Sequence, residues 1–170
     1  MGPYLAGWVG NAASAHLYGQ RAASAADRAR RVIRDLAGGA RGDAIFVGSG
    51  TEAVVTGVTG ACRAGVGKGR HLVVSAIEHA AGLVAERILE GEGWEITRVP
   101  PLGMTGRVSV EDIERAIRPD TVMVSLLHAN NETGVLQPVA EIGARCRRLG
   151  VLFHTDAVQS AGKVPLEADA

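Results

Sequence analysis

Apolar residues in this chain follow two patterns that alternate along its length. In the first they crowd onto successive positions, as in AIFV (44–47), RHLVVSAI (70–77), WEITRVP (94–100), TVMVSLL (121–127) and VLFHTDA (151–157). A strand that is apolar on both sides must be covered on both sides, which is the habit of parallel sheets held between helices. In the second pattern apolar residues recur every three or four positions among Ala, Arg, Glu and Asp, as on amphipathic helices.

The helical stretches carry their own boundary signals. GQRAASAADRARRVIRDL (19–36) is rich in helix formers and stops at Gly38-Gly39. A second helix is predicted from Thr51 to about Ala64, with Glu52 favourable near its positive end, and a third over Ala80–Glu90. Ser109 is an N-cap for VEDIERAIR, with Asp112 in the place of the usual capping-box Glu, and Pro138 sits near the start of a helix to about Arg148. Strand and helix alternate throughout, so the expected fold class is α/β: a three-layer sandwich with a mainly parallel sheet. The Gly/Ala-rich residues up to Ser14 read as loop.

Polar clusters close these runs: Gly48-Ser49-Gly50-Thr51-Glu52 after AIFV, Glu78-His79 after HLVVSAI, His128 to Gly134 after TVMVSLL, and Asp156-Ala157-Val158-Gln159 after VLFHT. Ligands of parallel sheets bind beyond the carboxyl ends of the strands, so one cleft lined by these clusters is predicted.

Composition excludes several classes of partner. Eighteen basic residues balance eighteen acidic ones, so no basic patch argues for nucleic acid or an anionic membrane. No apolar stretch approaches the roughly 20 residues of a membrane span, and no signal peptide is evident, which fits a soluble cytoplasmic protein. Cys62 and Cys146 lie on predicted helices and suggest neither a disulfide framework nor a metal site.

The clusters have chemistry of one kind. A glycine turn opening a helix presents unpaired N–H groups to an anion, with the hydroxyls of Ser49 and Thr51 as further donors. Asp156, at the end of an apolar strand, calls for a cationic partner, and a protonated heterocyclic nitrogen would serve. Gln159 is an amide donor one helical turn on, and His79 could stack on a planar ring or move protons. Each also has a plain structural reading: turn and N-cap for Gly-Ser-Gly-Thr, a cap of neighbouring amides for Asp156, a backbone partner for His79, and a tight turn for Asn130-Asn131. Taken together they describe a pocket for a phosphorylated pyridine, pyridoxal phosphate.

In order and spacing, GNAASAHLYGQRA, FVGSGTEA, SAIEHAA, LLHANNETGVLQPV and FHTDAVQSAGKVPLE resemble the NifS/IscS-type cysteine desulfurases of the class V aminotransferase superfamily. The resemblance covers nearly the whole chain. It implies a pyridoxal-phosphate fold type I enzyme that takes sulfur from L-cysteine, leaves alanine, and passes an enzyme persulfide to an iron–sulfur scaffold or other acceptor. Homodimers are implied as well. By the same resemblance Gly50 and Thr51 hold the phosphate, and His79 is catalytic and covers the ring. Asn131 lies near the ring substituents, Asp156 binds the ring nitrogen, and Gln159 the phenolic oxygen. Selenocysteine lyase, another class V enzyme, or a non-catalytic dimerisation module are the alternative readings.

The sequence departs from the family pattern at three places. Val47-Gly48-Ser49-Gly50-Thr51 permutes the usual Thr-Ser-Gly-Ala-Thr, Ala12 replaces Pro, and no Ser-x-His-Lys block occurs among residues 1–170. Neither Lys68 nor Lys163 stands at the position of the cofactor-bearing lysine. Residues 1–170 are therefore expected to be part of the large, cofactor-binding domain, without the small C-terminal domain and without turnover alone.

Overall fold

The computed structural model describes residues 4, 6–7, 10–38 and 42–166, and the chain divides into two compact units that meet in sequence between Phe46 and Val47. In the first unit helix α1 spans Leu17–Leu36, two residues longer at its start than the sequence pattern indicates. The ring of His16 caps it, with Nδ1 accepting the Gly19 N–H at 3.3 Å. Its other end stops as predicted, at Gly38 with φ of +66°. The Arg34 guanidinium donates to the Gly42 carbonyl at 3.2 Å, and that of Arg30 lies 5.7 Å from the Phe46 ring centre.

The second unit holds α2 (Gly50–Ala64), β1 (His71–Ser75), α3 (Ala80–Gly91), β2 (Glu95–Val99), α4 (Val110–Ala116), β3 (Thr121–Leu127), α5 (Val139–Arg148) and β4 (Leu152–Asp156). The four strands form one sheet in the order β2-β1-β3-β4, and every pair is parallel. Helices α2 and α3 cover one face, where Val58, Cys62, Ala85 and Leu89 meet Leu72, Val74 and Met123. Helices α4 and α5 cover the other, where Ile113, Ile142 and Cys146 meet Val73, Val124 and Leu126. This is the expected three-layer α/β sandwich. The inner strands β1 and β3 are buried at every residue, whereas the outer β2 and β4 are partly open. A bulge at Val122 sets the β1–β3 register, because His71 faces Thr121 while Leu72 faces Met123.

Two local expectations are corrected. AIFV forms no strand, and it is not buried: Ile45 is 83% exposed, and Phe46 and Val47 are exposed too. Apolar side chains make a segment eligible for a sheet, but a strand exists only where another offers its backbone groups, and none among the described residues pairs with this one. The capping box at Ser109 closes on one side only. Its hydroxyl accepts the Asp112 N–H at 3.2 Å, while the Asp112 carboxylate turns to Arg115 and leaves the reciprocal bond unmade.

The order of the strands creates the place for a site. From β1 the chain leaves toward β2, on one side, and from β3 toward β4, on the other, so a crevice opens between the carboxyl ends of β1 and β3.

Candidate active site

At this crevice lies a cavity of about 200 Å³ lined by Gly50, Thr51, His79, Ala81, Leu127, Ala129, Asn131, Asp156, Val158 and Gln159. The six positions singled out from sequence all face it, although 109 positions separate Gly50 from Gln159.

The first wall is the N-terminus of α2. Ser49 is the N-cap, its Oγ accepting the Glu52 N–H at 3.1 Å, and Glu52 reaches back to accept the Gly48 N–H at 2.7 Å. Among the described residues the N–H groups of Gly50 and Thr51 have no acceptor. They point out of the positive end of a 15-residue helix, which makes them anion donors. The permuted glycine turn thus still presents two open N–H groups, with Ser49 as the cap and Gly50 as the first helical residue.

His79 forms the second wall and is the N-cap of α3. Its Nδ1 accepts the Ala81 N–H at 3.1 Å, so in the neutral ring the proton is on Nε2, which remains available. The third wall is the turn after β3. Here the paired asparagines separate: Asn130 organises the loop, its Oδ1 accepting the N–H groups of Glu132 and Thr133 at 2.9 Å each, while Asn131 lines the cavity with its amide exposed.

Asp156 closes β4, directly opposite Leu127. One carboxylate oxygen accepts the Val158 N–H at 2.9 Å, and the other has no donor among the described residues. Gln159 is exposed and takes the Lys163 ammonium on Oε1 at 3.3 Å, leaving its amide N–H groups available. Lys68 donates to the Gly150 carbonyl at 2.8 Å, and neither lysine lines the cavity.

Two side chains without a role in the sequence reading bridge the crevice. β1 pairs with β3 only as far as Val74 and Ser125, and beyond this the ladder is continued by side chains. Glu78 Oε1 accepts the Leu127 N–H at 3.1 Å and also a bond from the Ser75 hydroxyl. Asn130 Nδ2 donates to the Ile77 carbonyl at 3.2 Å. Burial pushes the Glu78 carboxyl up to about 7, with Glu86 and Asp156 adding to the rise and the bonds from Ser75 and Leu127 opposing it. The sequence signal for Glu78 is its place in the polar cluster just past the largely apolar run HLVVSAI. On β4, His154 bonds the Ser125 hydroxyl at 2.8 Å, and burial holds its imidazole below the usual range against the pull of Asp156.

The cysteines take no part. Cys62 and Cys146 are fully buried in the two cores, and burial raises both thiols to about 11, so neither offers a thiolate at neutral pH. Among the described residues no cluster of His, Cys, Asp and Glu could hold a metal, and no helix is long and apolar enough to cross a membrane.

Comparison with known proteins places this geometry in context. The family model for aminotransferase class-V matches residues 1–170. Cysteine desulfurase IscS of Anaeromyxobacter sp. (strain K) is 42% identical over 169 residues, covering 99% of this chain and 42% of that protein. Cysteine desulfurase IscS of Tolumonas auensis is also 42% identical, over 167 residues, 98% of this chain and 41% of that one. Among solved structures, DndA from Streptomyces lividans superposes with a TM-score of 0.82 at 42% identity, over 91% of this chain and 43% of that one. A NifS-like protein superposes with a TM-score of 0.89 at 29% identity, over 97% and 46%. The chain thus spans about 42% of the length of the curated relatives it matches. Matched from first residue to last and folded as these neighbours are, the chain belongs to the class-V aminotransferase family.

Proposed function

We propose that the protein containing this chain is a pyridoxal-phosphate-dependent cysteine desulfurase, and that residues 1–170 form part of its large, cofactor-binding domain. The observation that carries this reading is the cavity at the strand crevice, where anion donors, an imidazole, amides and a carboxylate converge. This donor set fits the cofactor. The Gly50 and Thr51 N–H groups and the Thr51 hydroxyl would bind its phosphate. Asp156 would hold the proton on its ring nitrogen through the carboxylate oxygen not occupied by Val158. His79 would lie against the ring, Asn131 near its substituents, and the Gln159 amide would donate to its phenolic oxygen. When bound, the cofactor supplies an electron sink for bond breaking at the amino-acid substrate.

The chain's own residues then have distinct tasks. His79 is fixed in one tautomer by its cap on Ala81, so Nε2 is the atom at which it would give or take a proton. Asp156 would keep positive charge in the ring, a pair worth on the order of 4 kcal/mol at about 4 Å and an effective dielectric near 20, before desolvation. The similarity to two cysteine desulfurases and to SspA, solved in complex with cysteine and 30% identical with a TM-score of 0.88, supports L-cysteine as substrate. A sulfur-accepting protein such as an iron–sulfur scaffold, a homodimeric state and a cytoplasmic location belong to the same proposal.

The test is to express the gene product from its own start to its own stop codon, add pyridoxal phosphate and L-cysteine, and measure alanine. One alanine is expected per sulfur transferred to the enzyme as persulfide, which an added thiol reductant then releases as sulfide, with no alanine from residues 1–170 alone. Cofactor binding without alanine release from cysteine would overturn the desulfurase reading.

A further inference from the structure

Behind the cavity wall at Leu127 stands a carboxyl group that the reading above does not use. β1 and β3 part company after Val74 and Ser125, so the Leu127 N–H loses its strand partner. Glu78 replaces it, with Oε1 on that N–H at 3.1 Å and on the Ser75 hydroxyl. Gly82, one turn into α3, makes room for this: a Cβ there would stand 3.2 Å from Glu78 Cβ and 3.7 Å from its Oε2. The carboxylate therefore bonds β1 and β3 at once, with the start of α3 packed beside it at Gly82. Leu127, which it holds, lines the cavity and is the cross-strand partner of Asp156.

We infer that Glu78 is a positioning residue of this site: it fixes the spacing of the β1 and β3 ends and places a second, titratable negative charge behind Asp156. The inference rests on the pyridoxal-phosphate reading of the cavity.

The charged and titratable groups around Glu78 leave it free to change state. From α3 it faces Glu86, which is itself paired with Arg98 at 2.7 Å, and from β4 it faces Asp156, with the half-buried His154, its imidazole held below the usual range by desolvation, two residues before. β1 contributes the Ser75 hydroxyl and β3 the Leu127 N–H. His79, next in sequence, has its Nδ1 on the Ala81 N–H. No cation opposes Glu78 among these, and burial, with Glu86 and Asp156 adding to it, holds its carboxyl up to about 7. Across neutrality it gains a negative charge, and a cationic ring nitrogen at Asp156 is attracted by that gain. Cofactor affinity should then rise with pH through this step.

The experiment uses the full gene product and measures the pyridoxal phosphate dissociation constant by equilibrium dialysis from pH 5.5 to 9. Glu78→Gln keeps an oxygen for Leu127 and Ser75 but cannot ionise. The ratio of wild-type to Glu78→Gln affinity is expected to rise about fivefold between pH 6 and 8. Ser75→Ala retains the carboxylate and removes a bond that favours ionisation, so the step should move to higher pH. It also serves should Glu78→Gln fail to fold. Affinity profiles of wild type and Glu78→Gln that run parallel, or a step unmoved in Ser75→Ala, would overturn the role of Glu78 while leaving the cofactor assignment intact. Wild-type protein that binds no pyridoxal phosphate at any pH would overturn both.

Discussion

The two ends of the sheet are built from the same residue types and treat them oppositely. At the amino end polar groups satisfy one another. His71 is fully buried, with Nδ1 at 2.7 Å from the Thr121 hydroxyl and Nε2 at 2.8 Å from that of Thr97. Arg118 grips Glu95 and Asp120, and Arg63 grips Glu92. At the carboxyl end His79 has one nitrogen bonded, Asp156 one oxygen, and the first N–H groups of α2 have no acceptor among the described residues. Backbone direction explains part of this contrast, since helices α2 and α3 begin at the carboxyl end and bring their orphan donors there. A histidine with both nitrogens occupied holds a fold together, and one with a free nitrogen can act on a ligand.

That contrast can be broken by substitution. The largest effect is expected for Asp156→Ala: pyridoxal phosphate affinity of the full gene product should fall by about a thousandfold, the equivalent of some 4 kcal/mol. Stability should change by less than about 1 kcal/mol, because one bond to Val158 is lost. Dialysis and denaturant unfolding read the two. His71→Ala should do the reverse. Leaving a cavity and two hydroxyls without their partner, it should cost about 3 kcal/mol of stability with cofactor affinity unchanged. Equal losses of affinity from both substitutions would erase the distinction between the two ends.

The pH dependence of stability sharpens the comparison. The Glu78 carboxyl is raised from 4.5 to about 7 in the folded protein, so between these values the unfolded chain has lost a proton that the fold retains. Relative to Glu78→Gln, wild-type stability should therefore fall as pH rises from about 4.5 to about 7, by on the order of 2–3 kcal/mol, and stay level on either side. Urea midpoints at pH 4.5 and 7.5 measure this, and equal differences at both would refute it.

The smallest effects concern two N-caps. Ser49→Ala and Ser109→Ala each remove one side-chain bond to a first-turn N–H, at 3.1 and 3.2 Å, and each should cost about 1 kcal/mol. Only the Ser49 variant should weaken binding of pyridoxal phosphate, because its helix end borders the cavity.

Legibility in the sequence differed between elements for physical reasons. TVMVSLL was readable to the residue, since an inner parallel strand is apolar on both faces and the structure has β3 at Thr121–Leu127. AIFV has the same local composition and failed, because a strand needs a neighbour and composition cannot report one. His79, Asn131, Asp156 and Gln159 share a cavity because each ends or follows a strand of one parallel sheet, whereas Gly50 and Thr51 reach it as the first turn of α2 and not as the end of a strand. Local pattern does not tell Asn130 from Asn131, and only the family resemblance singles out Asn131. One bonds Ile77, 53 residues away, and the other faces the cavity.

Hydrophobic periodicity, cap residues and turn glycines act over a few positions, so the sequence by itself determined the alternation of strands and helices and the ends at which polar clusters gather. Strand order, the bulge at Val122 and the Glu78 bridge to Leu127 depend on which segments lie side by side. Only the tertiary structure decided those, because a backbone N–H at the end of a strand takes as its acceptor whatever packing brings within about 3 Å, however distant in the chain.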